Sequence, residues 1–277
     1  ASKFLILVTL IIVTISSTLT LAKKAAIIID YDTRKVLFEI NADTLNYPAS
    51  LVKIMTLYIL FDYLDKNKIQ MKTKMKVSEV AASRSPTKLY LEEGSTISVE
   101  DAILALVIKS ANDVATVVAE HISGTERDFA KLMTKYAKKI GMTKTTFKNA
   151  SGLPNRGQLT TARDIAVLSQ ALIYNFPNYY ILFKKEKFVW QGKTYRNHNK
   201  LMKSYEGADG IKTGYIKASG FQLAFSAVRQ NKRLIGIYFG GDTGKQRDKS
   251  LTFLMDKEFG ELNLSSKKIE EKKQNIG

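Results

Sequence analysis

Ser50 and Lys53 stand three residues apart at the head of a long apolar run, NYPASLVKIMTLYILFDYL, from Asn46 to Leu64. Residues with that spacing share one face of a helix. A serine hydroxyl is a weak nucleophile until a base takes its proton. A lysine one turn inside a buried helix is costly unless it is paired or has a task. With burial and a second nearby cation to lower its pKa, Lys53 is a candidate for that base. The same spacing recurs at Ser85/Lys88 and Ser265/Lys268. Only Ser50 opens an apolar helix, where free backbone N–H groups and the positive end of the dipole surround it.

Two other short stretches carry polar chemistry. KSAND holds Ser110-Ala111-Asn112, the one Ser-x-Asn of the chain, and DGIKTGY holds Lys212-Thr213-Gly214, its one Lys-Thr-Gly. Taken singly, Ser110 and Asn112 read as helix caps and Lys212 as an exposed lysine beside a turn. The order Ser-x-x-Lys, Ser-x-Asn, Lys-Thr-Gly is the motif set shared by class A β-lactamases and penicillin-binding proteins.

These residues need elements to position them. KAAIIIDYDTRKVLFEIN reads as a β-hairpin. The Ser50 helix follows, opened by Pro48 and Ala49 and closed by LDKNK. Residues 70–97 read as loops and short strands. STISVEDAILALVIKS is a buried helix with Ser98 as N-cap and Asp101 three residues on. NDVATVVAEHISG, TERDFAKLMTKYAKKIG and TTARDIAVLSQALIYN are three more helices, the first two ended by Gly124 and Gly141. From about Lys187 the chain turns strand-like, with RQNK as a turn, before a last helix, KQRDKSLTFLMDKEFGEL, and a charged tail. Strands at both ends and helices between them predict an α+β protein. One sheet is built from the two chain ends, flanked by helices, and a mainly helical lobe forms from the middle.

Composition limits the function. The 277 residues carry 43 Lys and Arg against 26 Asp and Glu, a net charge of +17. The excess is scattered, with no Arg-rich block and no aromatic–basic interleaving, which argues against nucleic acid. An anionic polymer or surface, such as membrane or cell wall, suits the charge better, and plain compositional bias suits it best. No cysteine excludes disulfides and thiolate metal sites, and His121 and His198 are too few for a histidine metal cluster; no cofactor is indicated. At the N-terminus, Lys3 precedes the apolar run Phe4–Ile15, and Thr20 and Ala22 suit the −3 and −1 positions of signal peptidase. Residues 1–22 therefore read as a secretory leader, cleaved after Ala22 rather than kept as an anchor. That places the mature chain outside the cytoplasmic membrane, in the periplasm. Residues 23–262 form the catalytic domain and 263–277 a charged, mobile tail.

The chain resembles the low-molecular-mass penicillin-binding proteins, the D-alanyl-D-alanine carboxypeptidases of the bacterial cell wall. The resemblance runs from about Ala25 to Glu261 and includes PASLVKIMT, SANDVA, FKNASGLP, TTARDIA, DGIKTGY and ASGF. It implies a fold of the serine β-lactamase and DD-peptidase kind and acyl transfer as the reaction. By the resemblance, Ser50 is the acylated nucleophile, Lys53 its base, and Ser110 the relay that passes the proton to the leaving amine. Asn112 holds the substrate's peptide amide. Lys212 and Thr213 grip the terminal carboxylate, with Arg247 of GKQRDKS as a further contact. Gly214 completes the third motif, and the backbone N–H groups of Ser50 and Tyr215 form the oxyanion hole. The implied substrates are peptidoglycan stem peptides ending in D-Ala-D-Ala, and β-lactam antibiotics are the implied inhibitors.

The chain departs from the pattern at Ile216, where many relatives have threonine; a lost hydroxyl there alters substrate preference. Many relatives also continue into a small β-rich domain and an amphipathic helix, so membrane association is not required by this sequence. The rival readings are a DD-endopeptidase, a β-lactamase and an idle wall-binding protein. The glutamates between Asn112 and Lys212 are Glu120, Glu126, Glu186 and Glu206, and none lies in the Glu-x-x-Leu-Asn setting of a class A deacylating base. Intact Ser50, Lys53, Ser110 and Lys212 argue against an idle binder.

Overall fold

The computed structural model describes residues 24–274; the leader expected over residues 1–22 lies outside them. Strand β1 (Ala25–Asp30) is an AAIIID run buried at every position, as β-branched residues in a central strand should be. Its neighbour β2 (Val36–Ile40) is largely exposed and forms one edge. From the other end of the chain come β7 (Ala208–Ile216), β8 (Gly220–Arg229) and β9 (Lys232–Gly241). The five strands lie in the order β2-β1-β9-β8-β7, antiparallel throughout. The expected joining of the two chain ends in one sheet is thus observed. At the β8–β9 turn, Gln230 and Asn231 take φ of +48° and +59°, the pair of positive values that a two-residue hairpin turn needs.

Alternation along the strands gives the sheet two buried faces. Ile27, Ile29, Ile235 and Ile237 join the large core shared with the helical lobe. At its centre is α1 (Val52–Asp65), an apolar helix preceded by a 3₁₀ turn at Ala49–Leu51. Ala26, Ile28, Leu223 and Phe225 face the other way, under Leu251, Met255 and Phe259 of α9 (Gly244–Gln274). The helix α9 continues past Leu262 into the stretch read from sequence as a tail. KKIEEKKQ consists mostly of good helix formers.

The lobe opens with the short hairpin β3 (Lys74–Lys76) and β4 (Thr96–Ser98), with α2 (Glu79–Ala82) between them. The single helix expected from Ser98 is two pieces: α3 (Val99–Leu104) and a π-helical turn at Ala105–Lys109. Ser98 caps α3 as expected, its Oγ accepting from Asp101 N at 3.1 Å. α4 (Asn112–Ser123), α5 (Glu126–Ile140) and α6 (Ala162–Asn175) follow, and α6 packs on β1 and β9. Thr125 and Thr161 cap the last two, accepting from Asp128 N and Asp164 N. After α7 (Pro177–Tyr180), β5 (Lys187–Trp190) and β6 (Lys193–Arg196) form a separate hairpin that does not join the main sheet. The last piece before β7 is the one-turn α8 (Leu201–Ser204).

Loop 85–91 braces the start of α4. Asp113 is fully buried, and its carboxylate accepts from Leu89 N and Leu91 N at 3.1 Å and from Val114 N at 2.9 Å. An amide there turns an N–H donor toward backbone donors. Asp113→Asn should cost roughly 1–3 kcal/mol of stability, read from the denaturant midpoint; an unshifted midpoint would show the clamp to be idle.

Candidate active site

Ser50 lies in the 3₁₀ turn that feeds α1, so the helix starts at this serine. Lys53 is fully buried. Its Nζ lies 3.1 Å from Ser50 Oγ and 2.8 Å from Asn112 Oδ1, and it also reaches the carbonyl of Ser151. Burial pushes its pKa well below the ordinary lysine value; the charge of Lys212 adds to this, and Asp113 and Glu126 oppose it. A neutral amine has two N–H bonds and one lone pair. Asn112 Oδ1 and Ser151 O can only accept, so they take both N–H bonds. The lone pair is left for the Ser50 hydroxyl, which is the geometry of a general base.

Ser110 follows the π turn in a left-handed conformation, φ 61° and ψ 39°. A non-glycine residue there is uncommon, and such strain gathers at functional sites. Its Oγ is buried without a hydrogen-bond partner and the residue lines the same cleft as Ser50. Thr87 Oγ1 donates to Ser110 O at 2.9 Å, and Asn112 N to Thr87 O at 2.7 Å. Asn112, read from sequence as the holder of the substrate amide, is engaged twice within the protein. Its Oδ1 accepts from Lys53 and its Nδ2 donates to Ser85 O at 2.9 Å. Orienting Lys53 is thus the task that its observed bonds describe.

Lys212, Thr213, Gly214 and Tyr215 lie on β7, the edge strand opposite β2. Gly214 permits the close approach of β7 to Ser50: a Cβ there would come 2.9 Å from Gln222 Oε1 and 3.4 Å from Ser50 N. Gln222 Nε2 in turn donates to Tyr47 O at 2.7 Å, tying β8 to the segment before Ser50. Lys212 is 2% exposed, and burial, together with the charge of Arg247, pushes its pKa down to about 7. Its Nζ reaches Thr213 O at 3.1 Å. Arg247 is buried at the head of α9, bonded to Gln222 O at 3.1 Å and to Asp248. It is therefore no exposed helix arginine but a cation set beside Lys212. The Tyr215 side chain points outward, 58% exposed and against Phe221 at 4.4 Å.

Some of the site went unread in the sequence. Ser151 and Gly152 of FKNASGLP close the wall behind Lys53. Gly152 has φ +89°, and a Cβ on it would lie 1.9 Å from Ala49 O. Gly152→Ala should therefore push the Ser50 turn out of place and slow its acylation at least tenfold, measured with a labelled penicillin; an unchanged rate would mean that the two turns are not coupled. Glu126 accepts from Ala150 N at 2.9 Å and pairs with Arg84, which holds this wall to α5. His198 stands at the cleft mouth with one side open to solvent. Partial burial, and then Lys212, Lys109 and Lys53, push its pKa down to about 4. The lone sequence signal, a histidine two residues before a lysine, has no motif value. Among the described residues, no group of three or more His, Asp or Glu side chains could hold a metal ion.

The sequence profile of a family described as D-alanyl-D-alanine carboxypeptidase matches residues 12–243. D-alanyl-D-alanine carboxypeptidase DacF of Bacillus subtilis (strain 168) is 37% identical over 86% of this chain and 62% of its own length. DacC of Escherichia coli (strain K12), of the same description, is 37% identical over 81% of this chain and 58% of its own. The chain thus spans about three fifths of these curated relatives. Penicillin binding protein 5 from Haemophilus influenzae superposes with a TM-score of 0.83 at 30% identity, over 87% of this chain and 71% of that one. A penicillin-binding protein from Listeria monocytogenes in its ampicillin-bound form gives 0.78 at 32% identity, over 88% of this chain and 99% of that one.

Proposed function

The chain belongs to the D-alanyl-D-alanine carboxypeptidase family, and we propose that it removes the terminal D-alanine from peptidoglycan stem peptides through an acyl-enzyme on Ser50. Ser50 Oγ attacks the carbonyl between the two terminal D-alanines while Lys53 takes its proton. The N–H groups of Ser50 and Tyr215 hold the oxyanion; one such donor contributes roughly 2.7–4 kcal/mol of barrier lowering. Ser110 hands a proton to the departing amine, and Lys212 and Thr213, with Arg247 behind them, hold the departing carboxylate. Water then hydrolyses the ester and restores Ser50. The observation that carries this reading is the hydrogen-bond set of Lys53, which leaves its lone pair for Ser50.

β-Lactams present the same acyl group without a diffusible leaving amine and should trap Ser50; the ampicillin-bound relative supports this. A β-lactamase reading is disfavoured, since among the described residues no glutamate lines the cleft, and Glu126 is bound to Arg84 and Ala150. The leader over residues 1–22 supports export to the periplasm. No helix of the described residues is long and apolar enough to cross a membrane. The test is D-alanine release by the chain from Lys23 onward, given a peptide ending in D-Ala-D-Ala, beside a Ser50→Ala control. Release by the native chain alone is expected. No release, with penicillin still bound at Ser50, would overturn the carboxypeptidase reading in favour of a cross-link endopeptidase or an idle binder.

A further inference from the structure

Both backbone polar atoms of Tyr47, three residues before Ser50, are held by side chains from a distant part of the chain. Tyr47 N donates to Ser219 Oγ at 2.9 Å, and Gln222 Nε2 donates to Tyr47 O at 2.7 Å. Between that clamp and the serine stand Pro48 and Ala49, and Ala49 has a φ of +45°. Proline fixes its own φ, and a left-handed alanine persists only where its surroundings hold it. The position of Ser50 is thus handed on from Tyr47 through two residues with little freedom to absorb a shift.

Gln222 touches more than Tyr47. It is fully buried and lies opposite Gly214 in the pairing of β7 with β8. The register between β8 and β9 slips at this residue, and its carbonyl accepts from Arg247 Nη1 at 3.1 Å. Tyr47 O can only accept, so the amide nitrogen must face it, and Oε1 is turned toward Gly214. Among the described residues Oε1 has no hydrogen-bond partner. A carboxamide that merely filled this volume would serve the fold less well than an apolar side chain of the same length, since a buried oxygen without a donor is costly. The point where a Gly214 Cβ would stand is 2.9 Å from Oε1 and 3.4 Å from both Ala49 Cβ and Ser50 N. The Gln222 amide, the Lys-Thr-Gly strand and the serine turn therefore meet at one spot. We propose that Gln222 is a positioning residue for acyl transfer to Ser50, the part of the carboxypeptidase reading on which this inference rests. It spaces Ser50 from β7, and it joins the serine turn to Arg247, the cation beside Lys212.

The test is acylation of Ser50 by a labelled penicillin in single turnover, which separates the first-order rate constant from the dissociation constant. Gln222→Met keeps the length of the side chain and removes the donor. It is expected to lower the first-order constant about tenfold, a fraction of the roughly hundredfold loss that a full ångström of misplacement brings. The dissociation constant should stay as in the native chain, since Lys212, Thr213 and Arg247 are untouched. A native first-order constant, whatever the melting temperature, would make Gln222 a filler and overturn the proposal. Should Gln222→Met not fold, Ser219→Ala decides instead, because it releases the same Tyr47 from its other side. Slowing of the same constant is then expected, and a native rate would overturn the proposal. Acylation is read without D-alanine release. Failure of the carboxypeptidase reading therefore leaves this result standing, and a native rate in Gln222→Met overturns the positioning role while that reading stands.

Discussion

Lys53→Ala is expected to slow acylation of Ser50 by penicillin by roughly 10²–10⁴-fold, the share that a positioned general base contributes. The size of the effect follows from what else is at hand. Lys212 is two per cent exposed and its observed bond runs to Thr213 O. His198 lines the cleft, with burial and three lysines holding its pKa down to about 4. Among the described residues, no other side chain is bonded to the Ser50 hydroxyl to replace the missing amine. The substitution also strips Asn112 Oδ1 and Ser151 O of their donor, at roughly 1–3 kcal/mol for each buried acceptor left unpaired. The variant should melt earlier yet keep its far-ultraviolet circular dichroism. Lys53→Met, which fills the volume without a base, separates the two effects: it should be as slow as Lys53→Ala and more stable. Acylation at the native rate in either variant would remove Lys53 from the mechanism.

The second large effect is on pH. Lys53 serves as base only when neutral, and burial and Lys212 hold its pKa well below the ordinary value, so kcat/KM should rise with pH on the acid side. An amine holds a carboxylate only when charged, and burial and the charge of Arg247 push the pKa of Lys212 down to about 7. Since kcat/KM reports the free enzyme, it should fall above pH 7 by about tenfold per pH unit, near a hundredfold by pH 9. Amidating the terminal carboxylate of the substrate should remove that alkaline limb. A flat profile from pH 7 to 9 with the free acid would exclude Lys212 as the carboxylate holder. Stability should move the other way. Both lysines have a folded pKa below the unfolded value of 10.5, so the unfolded chain binds more protons between about pH 7 and 10.5 and stability rises with pH across that window. The site is least comfortable for the fold where it is best prepared to receive an anion.

What could be read in advance were features written in local spacing. Ser50 and Lys53 on one helix face, the Ser98 cap, and the turn in RQNK each depend on residues at most a few positions apart. Arg247 and Asn112 were found but their surroundings were not, because those come from Asp248, Gln222, Lys53 and Ser85. Gly152 against Ala49, and Glu126 against Ala150, join segments whose proximity no spacing expresses. The π turn before Ser110 was hidden for another reason. ALVIK has the apolar pattern of an ordinary helix, and the widening shows only in the backbone.

The pairing of β1 with β9 brings Ala25–Asp30 against Leu234–Phe239, across some two hundred intervening residues. Such a distant closure is slow and comes late in folding. Gln222 and Ser219, which tether Tyr47 before the nucleophile, belong to that same late part of the chain. A growing or partly threaded polypeptide that has not yet delivered β9 thus holds its serine and its lysine without the strand support that aligns them. The alignment of Ser50 with Lys53 is therefore a late event, completed only when the last strands dock.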